Sequence, residues 1–257
     1  MFTLAKPPLN LHVKAAAALK VAGPKARLCG CTALELAGVP VLRSAPEVEI
    51  WVPAKTCGTQ RTGIKVRRNR LLRPTTDVGG LPSISLMECW LHLAEHASLE
   101  ELVVVADGLT RRQKPFTFTE DLAELLAEPG RRTGIQLARQ ALELTESGTD
   151  SPMETLLRLR LVNAGLPTPV VNYPIPWPDG GVRYWLDMAY PDHLVGVEYD
   201  GSVHVHDFAQ MRSDITRRRN LEDLGWRIIT GTSRDIAKPD KFIRSVRQAL
   251  TRPPELT

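Results

Sequence analysis

Three acidic side chains in one short stretch carry the strongest chemical signal in this sequence. Asp187 interrupts the otherwise apolar run 184–189, and Glu198 and Asp200 end the next run, 194–199, one residue apart. Side chains alternate along a strand, so Glu198 and Asp200 project from the same face. Pro191-Asp192-His193 reads as the turn between the runs, and a hairpin there lets Asp187 reach that face. Converging carboxylates repel one another, and burying them unpaired is costly. A divalent cation relieves both penalties. Mg²⁺ takes hard oxygen ligands and usually keeps several waters for substrate phosphates. Such an ion polarises a phosphate, lowers the pKa of a bound water and orients in-line attack. The pattern therefore points to metal-assisted phosphodiester hydrolysis. The plainer alternative is that these acids are turn formers, since Asp200-Gly201 is a good turn pair.

The elements that must hold these residues are legible from pattern. Ser151-Pro152-Met153-Glu154 opens a helix, with Ser151 as cap, Pro152 at the first helical position and Glu154 at capping-box spacing. Glu154 therefore also has a plain structural role open to it. Leu156, Leu157, Leu159, Leu161 and Val162 supply the apolar face, and Gly165 and Pro167 stop the helix. Strands are expected over 184–189, 194–199 and 226–230, a polar-faced helix over 212–224 and a closing helix over 239–250. Trp185 and Trp226 lie in apolar strands and are expected in the core.

A turn-rich seam at 146–152 separates this region, 151–250, from a first region, 1–146. There, helices are expected over 11–21, 32–37, 85–96, 99–109, 119–126 and 134–144. Alternating strands are expected over 48–52 and 64–67. The fold class expected is α/β (α+β overall). A mixed sheet flanked by helices follows a mixed α+β domain.

Ser-Pro-Met-Glu-Thr at 151–155, Asp187-Met188-Ala189-Tyr190-Pro191, and Val197-Glu198-Tyr199-Asp200-Gly201 with His204 occur in order. Asp214, Arg217, Leu221 and Gly225-Trp226 follow. Across residues 151–250 this resembles the very-short-patch-repair-like branch of the PD-(D/E)XK nuclease superfamily. The resemblance implies a restriction-endonuclease-like core and a Mg²⁺- or Mn²⁺-dependent endonuclease or nicking enzyme acting on DNA; RNA is a further substrate class because metal-assisted phosphodiester chemistry alone does not select the sugar. It implies Asp187 and Glu198 as metal ligands, with the Tyr199 carbonyl as another. Glu154 matches the acid on the first core helix, which helps to hold the attacking water. His204 matches a general base or acid, a role suited to a side chain that titrates near neutrality. Asp200 stands where the motif carries Lys, and an Asp brings no positive charge to developing charge on phosphate. Arg217 and His204 are the donors placed to compensate. The missing Lys also supports a second expectation. That expectation is a catalytically inactive DNA-binding or antitoxin-like regulatory protein of a toxin–antitoxin or phage-defence system.

Lys65, Arg67, Arg68, Arg70 and Arg73 form the densest basic stretch. On a strand, Lys65 and Arg67 share one face and leave Arg68 and Arg70 on the other. Such a segment grips a nucleic-acid backbone through charge and counterion release, or it forms a basic edge strand that discourages aggregation. Lys65, Arg67, Arg68, Arg70 and Arg217 are the candidate nucleic-acid contacts. Cys31-Thr32-Ala33-Leu34-Glu35-Leu36-Ala37-Gly38 ahead of a strand pair, then Ser83-Ile84-Ser85 opening a helix, resemble the AbiEi-like antitoxins of type IV toxin–antitoxin systems across residues 11–144. That resemblance implies a region that binds DNA or a partner, either another protein or a second copy. Those antitoxins usually begin with a winged helix, whereas only one helix is evident upstream of Cys29.

Composition sets the outer bounds. The 257 residues carry a formal net charge of +4, with 43% hydrophobic and 24% charged residues. These ordinary globular values exclude a disordered, collagen-like or disulfide-scaffold chain. Cys29, Cys31, Cys57 and Cys89 lack a second Cys or His pair to complete a zinc site, so they read as free thiols in a reducing compartment. No run reaches the roughly 18 apolar residues of a membrane span. Ala15–Ala18, flanked by Lys14 and Lys20, lacks a signal-peptide layout. The expected location is cytoplasmic, with no membrane partner.

Overall fold

The structure is a computed structural model and describes residues 10–54, 61–69, 74–129, 132–177, 179–201 and 208–251. The chain divides into two compact units, Met1–Thr110 with Pro115–Thr145, and Arg111–Lys114 with Glu146–Thr257. Its architecture is α+β, with two mixed sheets among the described residues.

The first unit runs α1 (Leu11–Ala22), β1 (Arg27–Leu28), α2 (Gly30–Leu36), β2 (Val48–Pro53), β3 (Ile64–Asn69), β4 (Thr75–Val78) and β5 (Leu81–Ile84). Helices α3 (Leu86–Leu93), α4 (Leu99–Leu109), α5 (Thr119–Ala127) and α6 (Ile135–Glu143) follow. Its sheet has the order β3-β2-β1-β5-β4, with β3 parallel to β2 along six residue pairs. Leu28, Leu34, Ile50, Ile84, Trp90, Leu102 and Leu122 are fully buried. The expected strand at 48–52 alternates polar and apolar, yet Val48 to Val52 are all buried, Glu49 included.

The second unit runs α7 (Pro152–Asn163), β6 (Val170–Pro176), β7 (Val182–Tyr190), a single 3-10 turn (Pro191–His193) and β8 (Val195–Tyr199). Then come α8 (Phe208–Asp223), β9 (Arg227–Gly231), α9 (Ser233–Ala237) and α10 (Asp240–Thr251). The sheet order is β6-β7-β8-β9, antiparallel except for the β8–β9 pair, which α8 joins by a crossover. Strand β6 is not evident from pattern because Pro174 and Pro176 sit within it. Proline cannot donate to a ladder, and β6 accommodates it as an edge strand.

Helices cover both faces of this sheet. Leu157 and Leu161 of α7, with Phe242 and Val246 of α10, bury Met188, Tyr190, Val195 and Val197 on one face. On the other face, Leu221 of α8 and Trp226 pack with Ile175, Leu186 and Ala189. A Cβ on Gly231 would lie 2.5 Å from Leu157 Cδ2, so glycine there lets α7 approach the sheet closely. Among the described residues, no helix is long and apolar enough to cross a membrane.

Candidate active site

The site forms where β7 and β8 part. Their antiparallel pairing covers Met188↔Val197, Ala189↔Gly196 and Tyr190↔Val195. Beyond that point β7 keeps only its β6 neighbour and β8 keeps only β9. Asp187 and Glu198 are the first residues past the last pair and stand in the mouth of the fork. Side-chain alternation slips at the same place. Leu186 packs in the α8-side cluster, whereas Met188 belongs to the opposite one. Asn172, on β6, has φ 46°, and neither it nor Asp187 takes part in the β6–β7 pairing.

Asp187 Oδ2 accepts a hydrogen bond from the Tyr199 N–H at 2.8 Å, joining the two strands through a side chain where backbone pairing has stopped. Burial pushes the Asp187 carboxyl above its ordinary pKa, against the lowering effects of the Tyr199 N–H and the Arg217 charge. Glu198 pairs in register with Thr230 of β9 and shares the α8 face of the sheet with Gly196. Its carboxylate forms an ion pair with Arg217 of α8, and the same guanidinium nitrogen donates to the Trp185 carbonyl at 2.7 Å. Burial raises the Glu198 pKa, Arg217 opposes the rise, and the charge of Asp187 adds to it.

Glu154 comes from the first turn of α7. Its N–H donates to the Ser151 Oγ at 3.2 Å, so the cap expected from sequence forms. The return arm of the capping box does not, because Glu154 Oε2 accepts instead from the Asp150 N–H at 3.2 Å. Burial, and then the charge of Asp187, push the Glu154 carboxyl to about 7. Three carboxyls on α7, β7 and β8 are thus held with raised proton affinity, and Asp187 acts electrostatically on the other two. Among the described residues, no group of three or more His, Cys, Asp or Glu side chains is close enough to hold a metal ion.

The other expected site residues fall as follows. Asp200 is exposed, and its N–H donates to the Gly231 carbonyl at 2.8 Å, continuing the β8–β9 ladder. The Tyr199 ring packs against the α7–α10 cluster. His204, Arg70 and Arg73 lie outside the described residues. Lys65 and Arg67 sit 3.4 Å from the Oε1 of buried Glu49, and Arg67 also reaches Glu95 at 2.9 Å. Glu49 Oε2 takes the Cys31 N–H at 2.8 Å, in space that only a glycine at position 30 leaves, since a Cβ there would stand 2.1 Å from this oxygen. Lys65 and Arg67 therefore neutralise a buried acid, while Arg68 is exposed. Cys29 and Cys89 are buried and Cys31 partly so, all three as free thiols.

Other contacts are not visible in the sequence. Trp185, expected in the core, is 39% exposed, with the Arg112 guanidinium 4.5 Å above its ring. Arg112 also pairs with Asp150 at 2.6 Å, and Asp150 adds its charge to the neighbourhood of Glu154 and Asp187. Arg183 lies 4.5 Å from the Trp177 ring and 5.0 Å from the Tyr184 ring, and Arg217 lies 5.7 Å from Tyr184. The only signals for these were Asp150 preceding the Ser151 cap and the Arg183-Tyr184-Trp185 run entering the Asp187 strand.

Over 133 residues the chain is 32% identical to the uncharacterized protein Rv2248 of Mycobacterium tuberculosis strain H37Rv and, equally, to the uncharacterized protein MT2308 of strain CDC 1551. The similarity covers 51% of this chain and 49% of each relative, so the chain spans about half the length of the curated relatives it matches. No family model matches the chain, and no solved structure does.

Proposed function

We propose that the second unit is a metal-dependent endonuclease or nicking enzyme that hydrolyses phosphodiester bonds in DNA. One observation carries this reading. Asp187 and Glu198 stand together at the fork of β7 and β8, with Glu154 near enough for the charge of Asp187 to raise its pKa.

The donor set fits Mg²⁺ or Mn²⁺. Partly buried carboxylates supply hard oxygens, and Mg²⁺ is commonly held by one or two carboxylates plus substrate phosphates. Asp187 and Glu198 would hold the ion, with the Tyr199 carbonyl as a further oxygen. When bound, the ion supplies Lewis-acid polarisation of the phosphate and a water of lowered pKa. Glu154, titrating at about 7, is suited to take a proton from the attacking water. The Tyr199 N–H keeps Asp187 oriented. Arg217 brings the positive charge that Asp200 does not. His204 keeps its proposed part in proton transfer.

A second reading is favoured by two features of the same site. Asp200 replaces the motif Lys, and Glu198 is already neutralised by Arg217. In this reading the unit binds DNA without cutting it, as part of an antitoxin-like regulator. Incubation with supercoiled plasmid and Mg²⁺ or Mn²⁺ separates the two. Nicking that disappears in Asp187→Ala and Glu198→Ala supports the enzyme. Intact DNA binding with no cleavage of DNA or RNA under any of several metals leaves the second reading.

A further inference from the structure

The fork contains its own cation. The Arg217 guanidinium reaches from α8 into the mouth between β7 and β8, binding the Trp185 carbonyl of one strand and the Glu198 carboxylate of the other. Its side chain is 32% exposed, so the pair is within reach of solvent and ions. The neighbouring turn of α8 is fixed independently, by Asn220 Nδ2 donating to the Tyr184 hydroxyl at 2.8 Å. Arg218 donates to the Ile228 carbonyl at 3.3 Å. The α8 backbone therefore has anchors other than Arg217. The guanidinium also lies 5.7 Å from the Tyr184 ring, whose face offers a second resting place.

A guanidinium and a divalent ion on the same carboxylate repel each other, and Glu198 presents Arg217 with an oxygen, Oε1, that an ion would use. We propose that Arg217 is a displaceable counter-ion. It occupies Glu198 while no divalent ion is bound, competes with the ion for that carboxylate, and on displacement turns toward the substrate phosphate. This rests on the metal-site reading above and deepens it, because the residue that guards the site is also the donor replacing the absent Lys. A planar guanidinium suits both partners, since carboxylate and phosphate each accept its paired N–H groups.

The test is Mn²⁺ affinity, measured by calorimetry at one fixed pH. Wild type, Arg217→Met, Arg217→Lys, Asp187→Asn and Glu198→Gln are compared on the full chain, with circular dichroism as the check on folding. Arg217→Met is expected to bind Mn²⁺ about tenfold more tightly, the scale of one charge-assisted hydrogen bond no longer in competition. Arg217→Lys falls between Met and wild type, and it alone decides the comparison if Arg217→Met does not fold. Unchanged or weaker affinity in the folded Arg217 variants, with wild-type binding that requires Asp187 and Glu198, overturns the counter-ion and leaves the metal site standing. Wild-type protein whose Mn²⁺ binding is absent, or indifferent to Asp187→Asn and Glu198→Gln, overturns both. Tighter binding in Arg217→Met by a protein that cuts no nucleic acid supports the counter-ion while removing the nuclease.

Discussion

The Asp187 carboxylate of β7 holds the backbone N–H of Tyr199 in β8, 2.8 Å across the fork where strand pairing has ended. One side chain thus has a structural task and a proposed chemical one, and two substitutions separate them. Asp187→Asn keeps an acceptor for the N–H but loses the charge, so stability should stay near that of the wild type while cleavage is lost. Asp187→Ala leaves a partly buried N–H without its acceptor, which costs about 1–3 kcal/mol. Thermal melts and plasmid nicking on the two variants check this. Equal melting temperatures would show that the Tyr199 contact contributes nothing.

Glu154 gives the site a pH signature. Its carboxyl sits at about 7 in the folded protein against an ordinary 4.5, because burial and the Asp187 charge disfavour ionisation. A raised acid pKa means that the contribution to stability is fully present below about 4.5 and is lost as pH rises through about 7. Melting temperature should therefore fall across that interval. Glu154→Gln, uncharged throughout, should flatten the decline without abolishing it, since Asp187 and Glu198 are raised as well. Melts at a series of pH values on both proteins test this, and an unaltered slope in Glu154→Gln would contradict the assignment.

The basic strand β3 should divide into structural and surface positions. Arg67→Ala removes one of the two cations on Glu49, which is 1% exposed, and should lower stability by about 3 kcal/mol, the scale of a broken buried pair. Arg68→Ala alters an exposed side chain and should stay within about 0.5 kcal/mol of wild type. If β3 meets nucleic acid, Arg68→Ala should weaken binding and make its salt dependence shallower. Chemical denaturation and binding titrations at two salt concentrations read out both effects. Equal stability losses at the two positions would remove the distinction.

Much of the second unit was legible in the sequence because its signals are local. Ser151-Pro152 opens α7, Gly165 follows its end, and the apolar runs on either side of Pro191-Asp192-His193 become β7 and β8. The same runs singled out Asp187 and Glu198, since an acid inside an apolar strand is conspicuous without any knowledge of the fold. Strand β6 was hidden by Pro174 and Pro176, and the two-residue β1 by its shortness, so neither has a period to detect.

The sequence by itself determined which residue types were available, the succession of α7, β7, β8, α8, β9 and α10 without β6 or α9, and the clustering of acids near one strand end. Tertiary structure alone decided what each charge meets. It placed Lys65 and Arg67 on Glu49, brought Arg112 to Asp150 and Trp185, and carried Arg217 across the fork to Glu198. The reason is physical. Periodicity and caps depend on neighbours a few residues apart, whereas an ion pair depends on which strand ends and helices meet in space. No local pattern records that.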